Sequence, residues 1–363
     1  MKIALIGDAQ SPHLLKWARA LVAADDVELW VASSRGFASG FDGLLHPDRR
    51  LALGSRPAQQ GGNAALLSSL PRLGAWLHRV DADWLNAHYL TSHGTLAWLA
   101  KSLWQLRGRI VGSAWGSDIL VAPQRSRTYR WLTKRVLHAC TLTTSDSRYM
   151  AERMKALGAA EVMTFPFGLE SLPQATGPKD SWLFFTNRGL EPLYRPERVL
   201  AMFALVAAMH PEARLAMAND GSLAEHLIVR ARQLGLSVGS LAAGRQVQFL
   251  GRLDSAEQAR WYAQARWYVS LPESDSVSVS VLEAMAHGSI PLLSDLPANR
   301  ELVDDGTNGL IVPDAGLDAF ALQPLADRAE QIAAVNRAWV AQHGLFAPAI
   351  DSFLARLREL SIP

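Results

Sequence analysis

Scarcity says more about this chain of 363 residues than any excess does. There is one cysteine, Cys140, which excludes an intrachain disulfide and any thiolate metal cluster. It sits in HACTLT, between a helical stretch and an apolar strand, and reads as buried filler rather than a nucleophile. Neither charge sign is in excess. Lys and Arg number 36 against 34 Asp and Glu, a formal net charge of +2, so the chain as a whole is no nucleic-acid binder, although local basic patches remain open. No apolar run approaches the roughly 18–20 residues of a membrane-spanning helix. The opening MKIALIGDAQ has a single Lys and a short apolar run ended by Asp8. That is too short for a signal-peptide core and reads as a buried strand, which points to the cytoplasm.

What is present is length and alternation. The chain is too long for one ordinary domain, and its 49% hydrophobic and 19% charged content suits a soluble protein with real cores. Strands are expected at Lys2–Ile6, Val27–Ala32, Trp84–His88, Arg109–Ser113, Thr141–Ser145 and Val162–Phe165. Helices are expected at Pro12–Val22, Ala64–Arg79, Gly94–Leu106, Arg127–Ala139 and Ser147–Leu157. The Gly-, Arg- and Pro-rich region 33–63 reads as loop with a short strand near Arg50–Leu53. Gly168–Asp180 reads as a linker, after which the rhythm restarts with strands at Ser181–Thr186, Arg214–Ala218, Val247–Leu250, Trp267–Ser270 and Ile290–Leu293. Helices are expected at Pro196–Met209 and Leu223–Leu234, and a last one, Pro348–Leu360, is expected to pack back on the first lobe. Strands alternating with helices predict parallel sheets covered on both faces. The expectation is α/β, with two Rossmann-like, doubly wound lobes facing a cleft, 1–170 and 178–344, and ligands at the carboxyl ends of strands.

The most informative stretch is Leu271–Pro313, in which Asp275 and Glu283 stand eight positions apart. The alternation SVSVSV (Ser276–Val281) has the period of a strand, but Val279, Leu282, Met285 and Ala286 form a helical stripe, and loop-to-helix is the favoured reading. Ser278 or Ser280 would cap that helix and Gly288 would end it. Its first-turn amides, from Ser276, Val277, Ser278, Val279 and Ser280, would then suit a phosphate. Glu283 would accept hydrogen bonds from a vicinal diol such as a ribose, and Asp275 from a second polyol. Charged hydrogen bonds of this kind contribute roughly 1.5–3 kcal/mol each.

Asp275 and Glu283 followed by AMAHGSIPLLSD resemble the Glu-x7-Glu motif of the retaining glycosyltransferases of family four, which have the GT-B fold. WGSDIL (Trp115–Leu120), TTSDSRYMAERMKALG (Thr143–Gly158), FPFGLE (Phe165–Glu170), NRGLEPLYRPE (Asn187–Glu197), NDGSL (Asn219–Leu223) and FLGRL (Phe249–Leu253) follow in the family's order. Each motif is weak and the ordered set is strong. The resemblance implies a nucleotide-diphosphate sugar donor, UDP- or GDP-linked, with no separate cofactor. Glu283 would hold the ribose, while Asp275 and the amides of Ser276–Ser280 would take the sugar and distal phosphate. Arg188 would neutralise the diphosphate, and groups near Phe249 and Gly251 would hold the base. The acceptor, a glycan or lipid-linked molecule, would meet the first lobe, in cell-surface polysaccharide or glycolipid assembly.

Several residues depart from the family's pattern. Asp275 replaces the usual Glu and is one carbon shorter. Tyr194 stands where a Lys is usual, so either Arg195 turns inward or the diphosphate leans on Arg188 and backbone amides. Trp115 stands where His is frequent, so the sugar contact would fall to Asp118, which reads equally as a loop or helix cap. The loop GDAQSPH keeps Gly7 but lacks a glycine pair and is not GxGxxG, which disfavours a nicotinamide dehydrogenase. His13 reads equally as a cleft or a helix-start residue, and His88 as an acceptor contact or base. Asp81–Asp83 matches a metal-binding DxD literally, but reads better as a helix cap, and no cluster has metal-ligand spacing. The basic, aromatic segment 124–138 reads as either a solvated outer helix or a surface that lies on an anionic membrane. A nucleotide-sugar epimerase or phosphorylase of the same fold, or a non-catalytic sugar-nucleotide-binding subunit, are the alternatives.

Overall fold

A computed structural model describes residues 1–55, 64–174 and 177–362. Residues 56–63 of the expected loop and 175–176 of the expected linker lie outside the described residues. The chain divides into two compact units, one of Met1–Phe165 with Phe346–Pro363, the other of Pro166–Leu345.

In the first unit, β1 (Lys2–Gly7), β2 (Glu28–Ser33), β3 (Arg50–Ala52), β4 (Trp84–His88), β5 (Arg109–Ser113), β6 (Cys140–Ser145) and β7 (Val162–Thr164) form one parallel sheet in the order β3-β2-β1-β4-β5-β6-β7. The order reverses between β1 and β4, and loops that leave those strands in opposite directions open a crevice at their carboxyl ends. The helix Pro12–Val22 follows β1; Pro12 opens it and the Ser11 hydroxyl accepts the His13 amide. Gly7 brings β1 close to that helix, because a Cβ there would stand 2.7 Å from the Leu14 side chain.

Two expectations change in this unit. The helix expected over Ala64–Arg79 is two pieces, Ala64–Leu67 and Leu70–Val80, because Ser69 interrupts the ladder and turns its hydroxyl onto the Leu66 carbonyl. A π-helical turn, Tyr89–Gly94, precedes the helix Thr95–Trp104. Of the DxD residues, Asp81 ends the helix Leu70–Val80 in a left-handed conformation (φ +47°), and Asp83 accepts the Lys2 amide at 2.7 Å.

The final helix, Phe346–Ser361, belongs to this unit. Phe346, Ile350, Phe353, Leu354 and Leu357 are buried along one stripe, and each such side chain contributes about 1.5–3 kcal/mol by leaving water. Phe346 and Phe353 meet the Trp17 ring edge-on at 5.2 and 5.4 Å. Arg356 grips Glu161 with two bonds of 2.7 and 2.9 Å.

In the second unit, β8 (Asp180–Thr186), β9 (Arg214–Ala218), β10 (Val247–Gly251), β11 (Ala265–Ser270), β12 (Ile290–Ser294) and β13 (Leu310–Val312) form a second parallel sheet in the order β10-β9-β8-β11-β12-β13. Here the reversal falls between β8 and β11. The short β13 is a strand the sequence pattern does not announce. The alternation at 276–281 resolves as loop then helix: Val279–Ala286 is helical, with Ser278 at its N-cap. Gly288 (φ +80°) ends it, and its N–H bonds back to the Met285 carbonyl. Among the described residues no helix is long and apolar enough to cross a membrane.

Candidate active site

The carboxyl ends of β8 and β11 gather most of the residues singled out in the second unit. Asn187 and Arg188 leave β8, and Asp275 lies in the loop that leaves β11 for the helix Val279–Ala286. Arg188 is the hub. Its Nη2 donates to Asp275 Oδ2 at 2.6 Å, and its Nη1 donates to the hydroxyls of Ser278 and, at 3.2 Å, Ser280. Those two hydroxyls are 2.8 Å apart. Ser278 therefore occupies the N-cap without capping through its side chain; its hydroxyl is engaged by Arg188. The Val281 and Leu282 amides both bond to the Ser278 carbonyl, and the amides before them lie outside the helix's own ladder.

Burial and mutual attraction pull in opposite directions on the Arg188–Asp275 pair. Burial raises the Asp275 carboxyl pKa against the opposing pull of Arg188 and the Ser276 amide, which bonds to Oδ1 at 3.0 Å. Burial also works against the guanidinium charge, but Asp275 and the surrounding phenols outweigh it and its pKa is raised. Tyr194 covers the guanidinium, its ring centroid 4.6 Å from Cζ, a cation–π contact worth about 1 kcal/mol or more when desolvated.

Arg195 does not join this cluster. It adopts a left-handed backbone (φ +45°) between the turn Pro192–Tyr194 and the helix Pro196–Met209. Its guanidinium instead lies 3.7 Å from Glu273 and 3.2 Å from Asp314. Val277 differs too: its side chain is buried in the core beside Val281 and Leu282, so only its backbone can face a ligand. Gly251 ends β10 with φ +67°, its carbonyl accepting the Asn219 amide at 2.6 Å, and Phe249 packs partly buried against the core.

Glu283, one turn into the helix, accepts the Tyr262 hydroxyl at 3.0 Å. Behind it lies a polar group that the sequence reading missed. Tyr262 and Tyr268 are buried, and both meet Asn187. Their rings read in sequence as ordinary core, and only their hydroxyls distinguish them.

In the first unit, the carboxyl ends of β4 and β5 carry a different assembly. His88 is 1% exposed, and its Nδ1 accepts the Trp115 indole N–H at 3.0 Å, which leaves the ring hydrogen on Nε2. Burial first, then His93 and His13, push its pKa down to about 3. His93 donates from Nδ1 to the His88 carbonyl at 2.8 Å, and burial lowers it to about 4. Around them Tyr89 stacks on Trp115 at 5.7 Å, His13 lies 4.9 Å from Trp115, and Trp17 meets His88 edge-on at 4.9 Å. Tyr89 holds a left-handed φ of +65°, a conformation that costs a side-chain-bearing residue about 1–3 kcal/mol.

Asp118, read equally as a sugar contact or a loop or helix cap, clasps two backbone amides. It is buried; Oδ2 accepts the Leu90 amide at 2.8 Å and Oδ1 the Trp115 amide at 3.0 Å. Burial raises its pKa against these bonds. It ties the turn after β4 to the loop after β5 and so positions His88, Tyr89 and Trp115. Gly7 is a packing glycine in this arrangement. Among the described residues no group of three His, Cys, Asp or Glu could hold a metal ion.

Comparison with known proteins agrees with this fold. Residues 170–325 match the family described as glycosyl transferases group 1, and residues 2–147 match the family described as glycosyl transferase 4-like. Between them the two matches leave Met1, 148–169 and the residues after 325 uncovered. A phosphatidyl-myo-inositol mannosyltransferase from Mycolicibacterium smegmatis is 28% identical over 178 residues, 47% of this chain and 43% of that relative, so the match spans less than half of its length. Among solved structures, the Anabaena HepE complex with UDP-glucose superposes with a TM-score of 0.76 at 15% identity, covering 98% of this chain and 100% of that one. A sucrose-phosphate synthase from Thermosynechococcus elongatus superposes with a TM-score of 0.78 at 16% identity, over 99% and 100% of the two chains.

Proposed function

We propose that this chain, which belongs to the group 1 glycosyl transferases of GT-B fold, moves a sugar from a nucleoside diphosphate to a hydroxyl acceptor with retention of configuration. The observation that carries the reading is the cluster at the ends of β8 and β11, where the Arg188 fork, Asp275, the Ser278 and Ser280 hydroxyls and Glu283 meet at a topological switch point. In this reading Glu283 takes the ribose hydroxyls and Asp275 the donor sugar. Arg188 and the amides of 276–280 take the diphosphate, and the backbone at Phe249–Gly251 takes the base. UDP and UDP-glucose in the HepE structures, and the lipid named in the mannosyltransferase relative, support a nucleotide-sugar donor and a glycan or glycolipid acceptor. The transferred group would be a hexose or N-acetylhexosamine.

Asp275 is already ion-paired with Arg188, which makes it a poor nucleophile. The step is a front-face substitution: the bond from the anomeric carbon to the phosphate oxygen breaks, the bond to the acceptor oxygen forms on the same face, and the acceptor's proton passes to the departing phosphate. Positioning and stabilisation of the leaving charge by Arg188 and helix amides supply the catalysis, without a metal ion. His88, Tyr89 and Trp115 form the acceptor side, held by Asp118. The work belongs to cell-surface polysaccharide or glycolipid assembly at the cytoplasmic face of a membrane, approached through the exposed basic helix Arg127–Ala139.

A thermal-shift screen of UDP-, GDP-, ADP- and dTDP-sugars should single out one donor. Turnover of that donor by Glu283→Ala should fall by about 100-fold or more, and the product's anomeric configuration should match the donor's. Unchanged turnover in the variant, or an inverted product, overturns the reading.

A further inference from the structure

Glu283 is held by a chain of buried hydrogen bonds whose direction can be derived. A carboxylate only accepts, so the Tyr262 hydroxyl, 3.0 Å away, must donate to it. The Tyr262 oxygen is then the acceptor for its other partner, Asn187, which turns its Nδ2 toward Tyr262 at 2.7 Å. That orientation presents Asn187 Oδ1 to Tyr268, whose hydroxyl must donate, at 2.8 Å. The second Nδ2 hydrogen goes to Gln258 Oε1 at 2.7 Å, and Gln258 Nε2 donates to the Leu253 carbonyl at 3.2 Å. Every member thus has one assignment, since turning the Asn187 amide over would set its oxygen against the acceptor oxygens of Tyr262 and Gln258. Four segments are joined: β11 through Tyr268, the end of β8 through Asn187, the helix Ser255–Gln264 through Gln258 and Tyr262, and the helix of Glu283. The Asp254–Glu257 capping box secures the start of the third segment, with bonds of 2.8 and 2.9 Å. Burial keeps both phenols protonated, raising Tyr262 well above its ordinary value and Tyr268 to about 12.

We infer that Tyr262 and Asn187 are positioning residues for the donor: through the relay Tyr268–Asn187–Tyr262 they orient the Glu283 carboxylate toward the vicinal diol of a nucleotide ribose. The inference rests on the reading of Glu283 as the ribose anchor. A side chain with three rotatable bonds samples many orientations, and one oxygen fixed from behind turns the carboxylate into a preformed acceptor. Packing of the two tyrosine rings alone, with no role for their hydroxyls, would also explain their burial, and the test separates the two.

The full-length protein is titrated calorimetrically with UDP, GDP and ADP, and the nucleotide that binds is compared with its 2′,3′-dideoxy counterpart. The wild type should prefer the ribonucleotide. Tyr262→Phe keeps the ring and removes the hydroxyl; Asn187→Asp keeps the shape but offers Tyr262 an acceptor that draws its proton away from Glu283. Each variant should lose about tenfold in ribonucleotide affinity, leave dideoxynucleotide affinity unchanged, and show no further loss of the preference when combined with Glu283→Gln. If Glu283→Gln abolishes the ribose preference while Tyr262→Phe and Asn187→Asp retain it, the relay inference fails and the ribose reading stands. If Glu283→Gln retains the preference, the ribose reading fails first. If a variant weakens both nucleotides equally, the residues are structural and the inference is overturned.

Discussion

The two sheets reverse strand order at equivalent places, between β1 and β4 in one unit and between β8 and β11 in the other, yet the side chains gathered there differ in kind. In the second unit the loops deliver charge: Arg188 and Asp275 form an ion pair, and Glu283 rests on a phenol. In the first they deliver chiefly rings, those of His88, Tyr89, Trp115 and His13; Asp118 is turned onto backbone amides, and Asp8, just after β1, is paired with Arg35 at 3.3 Å. One topology thus supplies two crevices, and the side chains decide what each suits. Charged, forked groups suit phosphate and diol. Neutral rings suit the apolar face of a sugar and neutral hydrogen bonds.

The sharpest way to break this comparison is to remove the charge from the second unit. Arg188→Ala leaves Asp275 buried without its cation and strips two serine hydroxyls of their donor. Donor kcat/KM should fall by about 100- to 1,000-fold. Arg188→Lys should recover only part of this, since an ammonium cannot serve Asp275 and the two serines in the same fork geometry. An unchanged kcat/KM in Arg188→Ala would place the donor elsewhere.

Acid should discriminate between the two crevices next. An unfolded imidazole takes up its proton near 6.5, but folded His88 does so only near 3 and His93 near 4. Between those values the unfolded chain holds more protons, so stability is fully present above about pH 6.5 and is lost as pH falls. Each imidazole removes at most about 1.4 kcal/mol per pH unit. His287 in the second unit, lowered to about 4, adds to the same trend. Melting temperature should fall from pH 7 to pH 5, and His88→Gln, which offers Trp115 an acceptor that does not titrate, should flatten the slope. An equal slope in the variant would mean that folded His88 takes up its proton at the same pH as it does in the unfolded chain.

Legibility in the sequence followed locality. Pro12–Val22, Trp84–His88, Arg109–Ser113, Arg127–Ala139, Pro196–Met209 and Arg214–Ala218 have the expected bounds, because an apolar stripe or run in each is closed by its own turn residues. The motif around Asp275 and Glu283 was equally local, and its loop-to-helix reading holds. What the sequence could not carry were choices made across distance. Arg195 had several acids within reach of a flexible side chain, and only the placement of Glu273 and Asp314 shows which it meets. Asp118 reads equally as a sugar contact or a cap, and only the fold shows that it holds the Leu90 amide, 28 positions away. Tyr262, Tyr268 and Asn187 are joined by no spacing rule; the two tyrosines look like core and Asn187 like the start of a motif, and only their hydrogen bonds show a network.

The smallest effect concerns the outer face of the first unit and asks whether its crevice serves an acceptor anchored in lipid. Arg127, Arg130, Lys134 and Arg135 are exposed on one helix, and Trp131 among them is 52% exposed, with the Arg135 guanidinium 5.5 Å from its ring. Leu103, on the helix Thr95–Trp104, is 64% exposed. A solvated helix has no need to expose a tryptophan, whereas an interfacial one uses the ring at the headgroup level and the cations against anionic lipid. Vesicles of phosphatidylcholine with phosphatidylglycerol should therefore sediment the protein and pure phosphatidylcholine should not, and high salt should release it. Neutralising Arg127 or Arg130 with Gln should weaken binding about fivefold per charge, the equivalent of about 1 kcal/mol. If anionic vesicles bind no better than neutral ones, the basic face is only a solvated surface, and the aromatic crevice would have to receive its acceptor from solution.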